Sequence, residues 1–232
     1  MSAITFITGA NKGLGYETAR RLKELGQTVV IGARDAGRGQ QAAEQLGVRF
    51  VSVDVTDDAS VQRAAADIAA HEGRVDTLIN NAGIIGSHVK ADELTGDDAG
   101  LVFETNVVSV VRVTSAFLPL LRRSAAPAVI NVSSGMGSFA LTHDPERVES
   151  TFASPLYSAS KAAVTMMTAQ YAKALPDIRF NAADPGYTAT DLNGHNGHQT
   201  VAEGTDAIVS LATEAPSAGT GRFIDRFGTV SW

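Results

Sequence analysis

A tyrosine and a lysine four residues apart are the side chains best suited to acid–base chemistry. They begin and end the run Tyr157-Ser158-Ala159-Ser160-Lys161, which opens a helical pattern. Residues four apart share one face of a helix, so the phenol and the ammonium group are expected side by side. A free tyrosine has a pKa near ~10, and a neighbouring positive charge stabilises its phenolate. Taken alone, a pair at this spacing is more typical of an ordinary helix surface, and a tyrosine that exchanges a proton is the alternative that further signatures must support.

A glycine-rich turn near the amino terminus has the order of residues that a dinucleotide needs. The run Thr8-Gly9-Ala10-Asn11-Lys12-Gly13-Leu14-Gly15 follows an apolar strand pattern and precedes a helical one. Glycines let the backbone approach a pyrophosphate, and the N-terminus of the helix aims N–H groups at its charge. The Gly-Lys-Ser/Thr ending of a nucleoside-triphosphate P-loop is absent. The turn predicts a dinucleotide site, with a plain glycine turn as the alternative. The predicted contacts are Gly9, Asn11, Lys12, Gly13, Leu14 and Gly15.

The choice between NAD and NADP depends on Arg34 and Asp35, which end the second strand pattern about 20 residues beyond the glycine turn. Asp35 accepting from the ribose hydroxyls would select NAD, whereas Arg34 together with Lys12 would pair with a 2′-phosphate and select NADP. A carboxylate repels that phosphate, and two cations gain charge-assisted hydrogen bonds. NADP is therefore favoured, with Asp35 turned to solvent. Ordinary surface roles for Lys12 and Arg34 are the alternative.

Seven short apolar runs alternate with helical patterns along the chain. The predicted strands are Ile4–Thr8, Thr28–Ala33, Arg49–Val53, Thr77–Asn80, Ala128–Ser133, Arg179–Ala183 and Arg222–Asp225. This alternation predicts a parallel sheet, and strands that are apolar throughout predict helices on both faces. The predicted fold class is α/β: a doubly wound, Rossmann-like sheet of about seven strands, three-layer α/β/α, in a single domain over residues 1–232. Irregular stretches at about 135–156 and 186–200 follow predicted strands and are expected to wall the site.

Composition and charge exclude several classes of protein. A net charge of −6 with no long basic run argues against nucleic-acid binding. The absence of cysteine excludes disulfides, thiolate metal sites and cysteine nucleophiles. The first strand pattern leaves no room for a signal peptide, and no apolar stretch is expected to reach the ~18 residues of a membrane helix, so a soluble cytoplasmic protein is expected. His195 and His198, three apart in a glycine-rich stretch, are interpreted as loop histidines, and no metal site is predicted.

Six separate signatures occur in one order along the chain. They are Thr8–Gly15, Asn80-Asn81-Ala82-Gly83, Asn106, Val132-Ser133-Ser134, Tyr157 with Lys161, and Asp184-Pro185-Gly186. Together they resemble the short-chain dehydrogenase/reductase family over residues 4 to 191. Lys12, the Gly32–Asp35 segment and the terminal Phe227–Trp232 segment look most like its NADPH-dependent carbonyl reductases.

The resemblance implies four catalytic residues. It implies that Tyr157 is the proton donor or acceptor, and that Lys161 lowers its pKa and binds the nicotinamide ribose. It further implies that Ser134 holds the substrate oxygen and that Asn106 sustains a water relay. Ser134 is chosen over Ser133 by motif register, since strand alternation points Ser133 to the opposite face.

The resemblance also implies further contacts with the cofactor, NADP(H). The residues expected to make them are Asp54, Val55, Asn81, Ala82, Gly83, Tyr157, Lys161, Pro185, Gly186, Thr188 and Thr190. One departure concerns the segment between Ser134 and Tyr157, which are 23 positions apart. This spacing is longer than in the family's simplest members, so the extra residues either wall the substrate pocket or obstruct a subunit interface. A homo-oligomer is therefore possible but open.

The expected function is NADPH-dependent reduction of a small ketone or aldehyde by hydride transfer, with Tyr157 as proton donor. Two alternatives stay open. One is a 3-oxoacyl thioester reductase whose Arg122 and Arg123 meet an acidic carrier protein, and the other is a non-catalytic NADP(H)-sensing regulator. The partner is a small-molecule carbonyl substrate, with neither nucleic acid nor membrane expected. Apolar side chains predicted to line the pocket are Phe139, Leu141, Phe152, Tyr187 and Leu192.

Overall fold

One eight-stranded sheet runs through the computed structural model, which describes residues 2–87 and 89–232. The strands are β1 (Ile4–Thr8), β2 (Thr28–Ala33), β3 (Arg49–Ser52), β4 (Thr77–Asn80), β5 (Ala128–Val132), β6 (Arg179–Ala183), β7 (Phe223–Asp225) and β8 (Gly228–Thr229). Their order is β3-β2-β1-β4-β5-β6-β7-β8. Strands β1 to β7 pair in parallel, as predicted, and β8 pairs antiparallel with β7. The prediction of seven strands missed β8, because a two-residue strand that returns from a tight turn has no periodicity to detect.

Nine helices flank the sheet within the described ranges. They are α1 (Gly13–Glu24), α2 (Ala36–Leu46), α3 (Asp58–His71), α4 (Gly96–Phe103), α5 (Ser109–Leu121), α6 (Phe139–His143), α7 (Pro155–Ala174), α8 (Val201–Gly204) and α9 (Asp206–Thr213). A five-residue π-turn, Glu104–Val108, joins α4 to α5 without a break. The Gly135–Gly137 and Asp191–Asn193 segments form short 3₁₀ turns.

The apolar core lies on both faces of the sheet, which explains why the strands read as continuous apolar runs. Phe6 belongs to the layer beneath α3 and α5, where its ring stacks on Phe117 at 4.8 Å between centroids. The next residue, Ile7, belongs to the opposite layer with Leu22 of α1 and Ile208 of α9. Successive strand residues point to opposite faces. The predicted three-layer, doubly wound arrangement is therefore confirmed.

One helix, Gly96–Leu121, is long and apolar enough to cross a membrane by length and composition. This differs from the expectation that no segment reaches that length, because α4, the π-turn and α5 form one continuous helix. Its Val113, Phe117 and Leu121 are buried in the core against the sheet. We therefore interpret it as a core helix of the fold.

The strand order reverses at β1, which lies between β2 and β4. On one side of β1 the chain continues from β1 to β2 and β3, and on the other side it continues from β4 to β7. The connections between strands therefore run in opposite directions along the sheet on the two sides of β1. In open sheets of this kind, ligands bind in the crevice beyond the carboxyl ends at the point of reversal. The sheet thus directs the glycine-rich turn after β1 and the segments after β4, β5 and β6 to one edge.

Candidate active site

A cleft of about 750 Å³ opens at the carboxyl edge of the sheet. Ser134, Tyr157 and Lys161 line it together, although Ser134 comes from the end of β5 and the other two from α7. The glycine-rich turn reaches the same cleft through Leu14, and the loop after β6 reaches it through Thr190. The cleft therefore brings four separate parts of the sequence to one place.

Tyr157 lies in the first turn of α7, which begins at Pro155. Proline suits this position because its missing N–H has no partner in a helix and its fixed φ favours helix entry. Ser134 and Tyr157 line the same cleft, and Ser134 lies close enough to act on the pKa of the phenol. Burial raises the pKa of Tyr157 to about 12, the contact with Ser134 lowers it, and the negative charge of Asp184 raises it. The side chain is consequently a phenol at neutral pH.

Lys161 lies one helical turn beyond Tyr157, and its Nζ is 5.7 Å from the centre of the phenol ring. The ammonium group donates a hydrogen bond of 2.8 Å to the carbonyl oxygen of Val132, at the end of β5. Only 5% of the residue is exposed. Burial lowers the pKa of Lys161 to about 8, while the nearby charge of Asp184 acts in the opposite direction. Lys161 is thus held in place and still charged at neutral pH.

Ser134 faces the cleft because the chain turns sharply after β5. The 3₁₀ turn Gly135–Gly137 sits directly on α7, where a Cβ on Gly137 would lie 2.6 Å from the backbone nitrogen of Ala162. Only glycine permits this close approach. Ser133 points the other way, and its hydroxyl lies 2.6 Å from that of Thr165 within the α7 packing. The structure therefore places Ser134, and not Ser133, beside the Tyr157 phenol.

Asn106 lies in the π-turn between α4 and α5 and is 2% exposed. Its amide forms both hydrogen bonds with the backbone of Ile84, each 2.8 Å long, and donates a third of 2.9 Å to the Ser160 hydroxyl. A Cβ on Gly83 would lie 3.3 Å from Asn106 Oδ1 and 3.5 Å from Lys161 Nζ. Asn106 thus ties the segment after β4 to α7 directly behind the Tyr157 and Lys161 pair. Single-turn π segments of this kind are frequent at functional sites.

The glycine-rich turn after β1 is built to let a ligand approach the backbone. Gly9 adopts φ 65°, and a Cβ there would lie 2.9 Å from the Cα of Ala82. A Cβ on Gly15 would lie 2.5 Å from Asn81 Nδ2. The Asn81 amide holds the turn by donating to the carbonyl oxygens of Thr8 and Gly9 at 2.8 and 3.0 Å.

The helix that follows this turn supplies the polar groups for a phosphate. Helix α1 starts at Gly13 with no side-chain cap and no acidic residue in its first turn. The first N–H groups of a helix have no partner within it, so they are available to an anion. The turn therefore fits a dinucleotide pyrophosphate.

The adenosine end of the predicted cofactor site has one exposed, unpaired cation. Asp35 is engaged as the N-cap of α2, where it accepts from the Arg38 N–H at 2.9 Å. Arg34 forms no hydrogen bond or ion pair within the described residues, and its charge acts on Asp54. Burial acts to raise the pKa of Asp54, but hydrogen bonds from Thr56 and the charge of Arg34 lower it overall. The Val55 side chain is buried in the core, so only its backbone faces this region.

Lys12 contacts the loop after β6. Its ammonium group is 2.8 Å from Asp191 Oδ2, and His195 Nε2 is 2.8 Å from Asp191 Oδ1. Thr188 donates to the Pro185 carbonyl oxygen at 2.9 Å, and the Thr190 N–H donates to Asn193 at 3.1 Å. The loop is therefore folded onto itself and onto the glycine-rich turn.

One wall of the cleft is apolar and aromatic. Phe152 packs on Tyr187 at 5.3 Å between ring centres, and Tyr187 contacts His198 at 5.9 Å. Leu192 also lines the cleft, as predicted, together with Ile85, Met136 and Val148, which sequence patterns did not mark as pocket residues. The extra segment between Ser134 and Tyr157 thus walls the pocket. Phe139 and Leu141, which were predicted to line it, do not.

The chain beyond β8 supports this wall from behind. The Ser138 hydroxyl donates to the Ser231 carbonyl oxygen at 2.6 Å, and the Ala140 N–H donates to that of Trp232 at 3.1 Å. The Trp232 ring lies 6.1 Å from Phe223 of β7. Helix α6 is consequently anchored by the last residues of the sequence, and Phe139 stays exposed on its outer side.

Two buried carboxyl groups near Ser134 were not predicted as site residues. Asp184 is 3% exposed and Glu149 is 6% exposed. Both come close to Gly135, where a Cβ would lie 2.9 Å from Asp184 Oδ2 and 2.7 Å from Glu149 Oε1. Asp184 was visible in the sequence within the Asp184-Pro185-Gly186 motif, but no pattern indicated that its carboxyl group would be buried.

Comparison with known proteins places these features in a family. The short chain dehydrogenase family matches residues 3–200. Short-chain dehydrogenase anuI of Penicillium roqueforti is 35% identical over 248 residues, covering 99% of this chain and 98% of its own length. The (+)-neomenthol dehydrogenase of Capsicum annuum is 29% identical over 296 residues, covering 95% and 94%. The NADPH-bound carbonyl reductase from chicken fatty liver superposes over 100% of both chains with a TM-score of 0.87 and 28% identity. Since the family match covers most of the chain and the cleft carries its serine, tyrosine and lysine, this protein belongs to the short-chain dehydrogenase/reductase family of oxidoreductases.

Proposed function

We propose that the protein is an NADPH-dependent reductase that converts a small ketone or aldehyde to the alcohol, with Tyr157 as proton donor. The observation that carries this proposal is that the side chains of Ser134 and Tyr157 line the same cleft, close enough for Ser134 to act on the pKa of the Tyr157 phenol. A carbonyl oxygen between them accepts from both donors. Relatives named as a dehydrogenase of neomenthol and a carbonyl reductase support the same class of substrate.

The protonation states of the site suit reduction. A Tyr157 phenol with a pKa of about 12 keeps its proton at pH 7 and is a donor, while Ser134 supplies a second hydrogen bond to the substrate oxygen. Lys161, with a pKa of about 8, is mostly an ammonium group at pH 7 and stabilises negative charge on the phenol oxygen as its proton leaves. Asn106 fixes the backbone of Ile84 behind this pair. When bound, the nicotinamide supplies the hydride.

The preference for NADP follows from charge at the end of β2. Asp35 already serves the N-terminus of α2, so its carboxylate is engaged away from a ribose hydroxyl. The exposed guanidinium of Arg34 is free to pair with a 2′-phosphate, a geometry for which arginine is suited. Lys12 is proposed as the second cation at this phosphate, since its ion pair with Asp191 is half-exposed and such surface pairs are weak.

The first test measures NADPH consumption with a panel of aldehydes, ketones and quinones, using the wild-type protein and Tyr157→Phe. Loss of the donor hydroxyl is expected to lower turnover by about 10²-fold or more, as removal of a positioned proton donor does. NADPH affinity, measured separately by fluorescence, is expected to change little. Equal turnover by both proteins would rule out Tyr157 as the donor.

The second test addresses cofactor choice through Arg34→Ala, with Arg38→Ala as the matched control. A charge-assisted contact with the 2′-phosphate contributes about 1.5–3 kcal/mol, so the Kd for NADPH is expected to rise about 10- to 100-fold. The Kd for NADH, which lacks this phosphate, is expected to stay constant. Because Arg38 pairs with Asp35, its removal should affect the two cofactors equally. If Arg34→Ala weakens both cofactors alike, the assignment of Arg34 is wrong.

Two other functions fit the site less well. For a 3-oxoacyl thioester reductase, Arg122 and Arg123 were expected to meet a carrier protein. Arg122 pairs with Asp177, just before β6, and Arg123 donates to the Gly73 carbonyl oxygen, just before β4. Both arginines therefore lie at the amino edge of the sheet, opposite the cleft. A purely NADP(H)-sensing regulator would not need Tyr157, Ser134 and Lys161 to converge, and NADPH binding without turnover of any carbonyl in the panel would favour it.

A further inference from the structure

Ser160 is a fully buried serine inside α7, with 0% of its surface exposed. It lies three residues after Tyr157 and directly before Lys161. Alanine forms helices better than serine, and a buried hydroxyl group costs stability unless it has hydrogen-bond partners. The helix alone therefore does not explain a serine at this position, and its partners outside the helix become the question.

The Ser160 hydroxyl joins the side chain of Asn106 to the backbone of Tyr157. Its oxygen accepts a hydrogen bond of 2.9 Å from Asn106 Nδ2, and its proton is donated to the Tyr157 carbonyl oxygen at 2.7 Å. A hydroxyl has one proton to donate and two lone pairs to accept with, so it can serve both partners at once. Two hydrogen bonds in series thus run from the π-turn to the first turn of α7.

The direction of this chain of hydrogen bonds is fixed by Ile84. The Ile84 N–H donates to Asn106 Oδ1 at 2.8 Å, and Asn106 Nδ2 donates to the Ile84 carbonyl oxygen at 2.8 Å. A backbone N–H can only donate, so the amide oxygen must face it and the amide nitrogen must face Ser160. Turning the Asn106 amide over would break both contacts with Ile84. Hydrogen bonds that follow one another in this way strengthen each other.

The turn that carries Tyr157 has little local support. Helix α7 begins at Pro155, and its N-cap residue, Ser154, makes no capping hydrogen bond with its side chain in the described part of the chain. Helix ends fray. Tyr157 is the third residue of this helix, so the bond from Ser160 fastens it to Asn106, which is 2% exposed.

We propose that Ser160 is a positioning residue for the reduction: its hydroxyl fastens the backbone of Tyr157 to Asn106 and thereby keeps the phenol aligned with the substrate oxygen. The proposal rests on the proposed function. Ser160 does not line the cleft, so it acts through Tyr157 and touches neither the substrate nor the reacting atoms.

The same helix contains a matched control. Thr168 is also 0% exposed, and its hydroxyl accepts from Asn131 Nδ2 at 2.8 Å and donates to the Val164 carbonyl oxygen at 2.8 Å. Val164 lies seven residues beyond Tyr157 and does not line the cleft. Ser160→Ala and Thr168→Val therefore each remove one buried hydroxyl from the same kind of chain. Only the first chain ends on Tyr157.

The first measurement needs no substrate. Tyrosine is labelled with carbon-13 at its carbonyl carbon, and the NMR signal of Tyr157 is identified among the four tyrosines by its loss in Tyr157→Phe. A carbonyl carbon that loses a hydrogen bond moves upfield. Ser160→Ala is expected to move the Tyr157 signal upfield, Asn106→Ala to move it less in the same direction, and Thr168→Val to leave it in place. An unmoved signal in Ser160→Ala or in Asn106→Ala would overturn the proposal.

The second measurement is steady-state oxidation of NADPH with a carbonyl compound that the wild type reduces. Ser160→Ala is expected to lower kcat about 10-fold, while the KM for the carbonyl compound and the Kd for NADPH change less than about 2-fold, because misalignment affects the transition state and not binding. Thr168→Val is expected to leave kcat within about 2-fold of wild type, since its chain does not reach Tyr157.

A double-mutant cycle separates positioning from a general role in the helix. In the Asn106→Ala protein, Ser160→Ala is expected to lower kcat less than about 2-fold further, because the link to Asn106 is already broken. An equal loss in both backgrounds would contradict the proposal. So would a folded Ser160→Ala protein with wild-type kcat, or an equal fall of kcat in Thr168→Val, because Ser160 would then serve only the helix.

A second variant covers a failure to fold. Ser160→Cys fills the space with a thiol, which is a weak donor and acceptor, and is expected to behave like Ser160→Ala. If neither variant folds while Thr168→Val does, Ser160 serves the fold and the positioning role is wrong. If Asn106→Ala does not fold, the comparison of Ser160→Ala with Thr168→Val decides. A wild type that reduces no carbonyl would contradict the proposed function, and the Tyr157 signal would still show whether Ser160 fastens Tyr157.

Discussion

Lys161 shows how burying an ammonium group in the cleft acts against stability at a single residue. Burial lowers its pKa from 10.5 to about 8, so the folded state binds fewer protons than the unfolded chain between these values. Unfolding free energy therefore rises with pH across this range, by about 3 kcal/mol from this group alone. At pH 7 the folded protein is therefore less stable by about the same 3 kcal/mol than it would be if the pKa of Lys161 had stayed at 10.5.

Replacing Lys161 by methionine is therefore expected to stabilise the protein at pH 7 while turnover is lost. The gain is expected to be about 2 kcal/mol, since the lost hydrogen bond to Val132 offsets part of it. The difference between the two proteins should shrink toward pH 10, where wild-type Lys161 is neutral. Urea unfolding at pH 7, 8.5 and 10 measures it, and stability curves that run parallel would contradict the assigned pKa direction.

Sequence patterns predict which side chains lie close together when they belong to one helix or strand. They do not predict the proximity of side chains that meet only when distant segments pack and bury them. Tyr157 and Lys161 are four apart on a helix, so their proximity follows from helix geometry. Asp184 and Glu149 are 35 positions apart, and their approach to Gly135 depends on how two loops pack. Lys12 was predicted beside a phosphate with Arg34, and its ion pair with Asp191 depends on the fold of a loop about which periodicity says nothing.

At the scale of elements, the turn between β1 and α1 depends on space for the backbone. A Cβ on Gly15 would meet Asn81 Nδ2 at 2.5 Å and the Cα of Ala10 at 2.8 Å, and the backbone atoms cannot yield easily. Gly15→Ala is therefore expected to destabilise the protein by about 1–3 kcal/mol and to weaken NADPH binding at least 10-fold. Thermal melting and a fluorescence titration with NADPH measure the two effects.

The matched control is Gly100→Ala, an exposed position inside α4 where an added Cβ meets nothing within 4 Å. Alanine is a better helix former than glycine, so this variant is expected to gain up to about 1 kcal/mol with unchanged NADPH affinity. A folded Gly15→Ala protein that binds NADPH like wild type would show that this turn does not hold the cofactor.

Strands and helices with a clear pattern of apolar residues could be predicted from the sequence. Elements that form only through contacts with distant parts of the chain could not. The bounds of β1, β2, β4 and β6 follow directly from apolar runs because both faces of each strand are buried. The π-turn at Glu104–Val108 has no such signal. It turns Asn106 toward Ile84 and Ser160, and those partners, not local propensity, stabilise the irregular turn. Strand β8 likewise exists only because β7 offers an edge to pair with.

At the scale of the whole molecule, the site is made from segments that meet only after the sheet has formed. Asn106, Ser134 and Tyr157 lie on three different elements, and the reversal of strand order at β1 directs all of them to one edge. Strand and helix patterns alternate along the sequence. From this alternation the carboxyl edge of the sheet can be inferred as the place of the site. The depth and wall of the cleft could not be inferred, because the segment from 135 to 156 has too little regular structure to place its side chains.

The contact between α6 and residues 231–232 also orders events during synthesis on the ribosome. Domains generally fold as units, with their amino-terminal segments made first on the ribosome, and the glycine-rich turn, the sheet through β6 and the Tyr157 helix all precede these residues. The two hydrogen bonds that fasten α6 form only after Ser231 and Trp232 have been translated. A nascent chain would thus contain its glycine-rich turn and strands β1 to β6 before α6, beside the cleft, can be anchored.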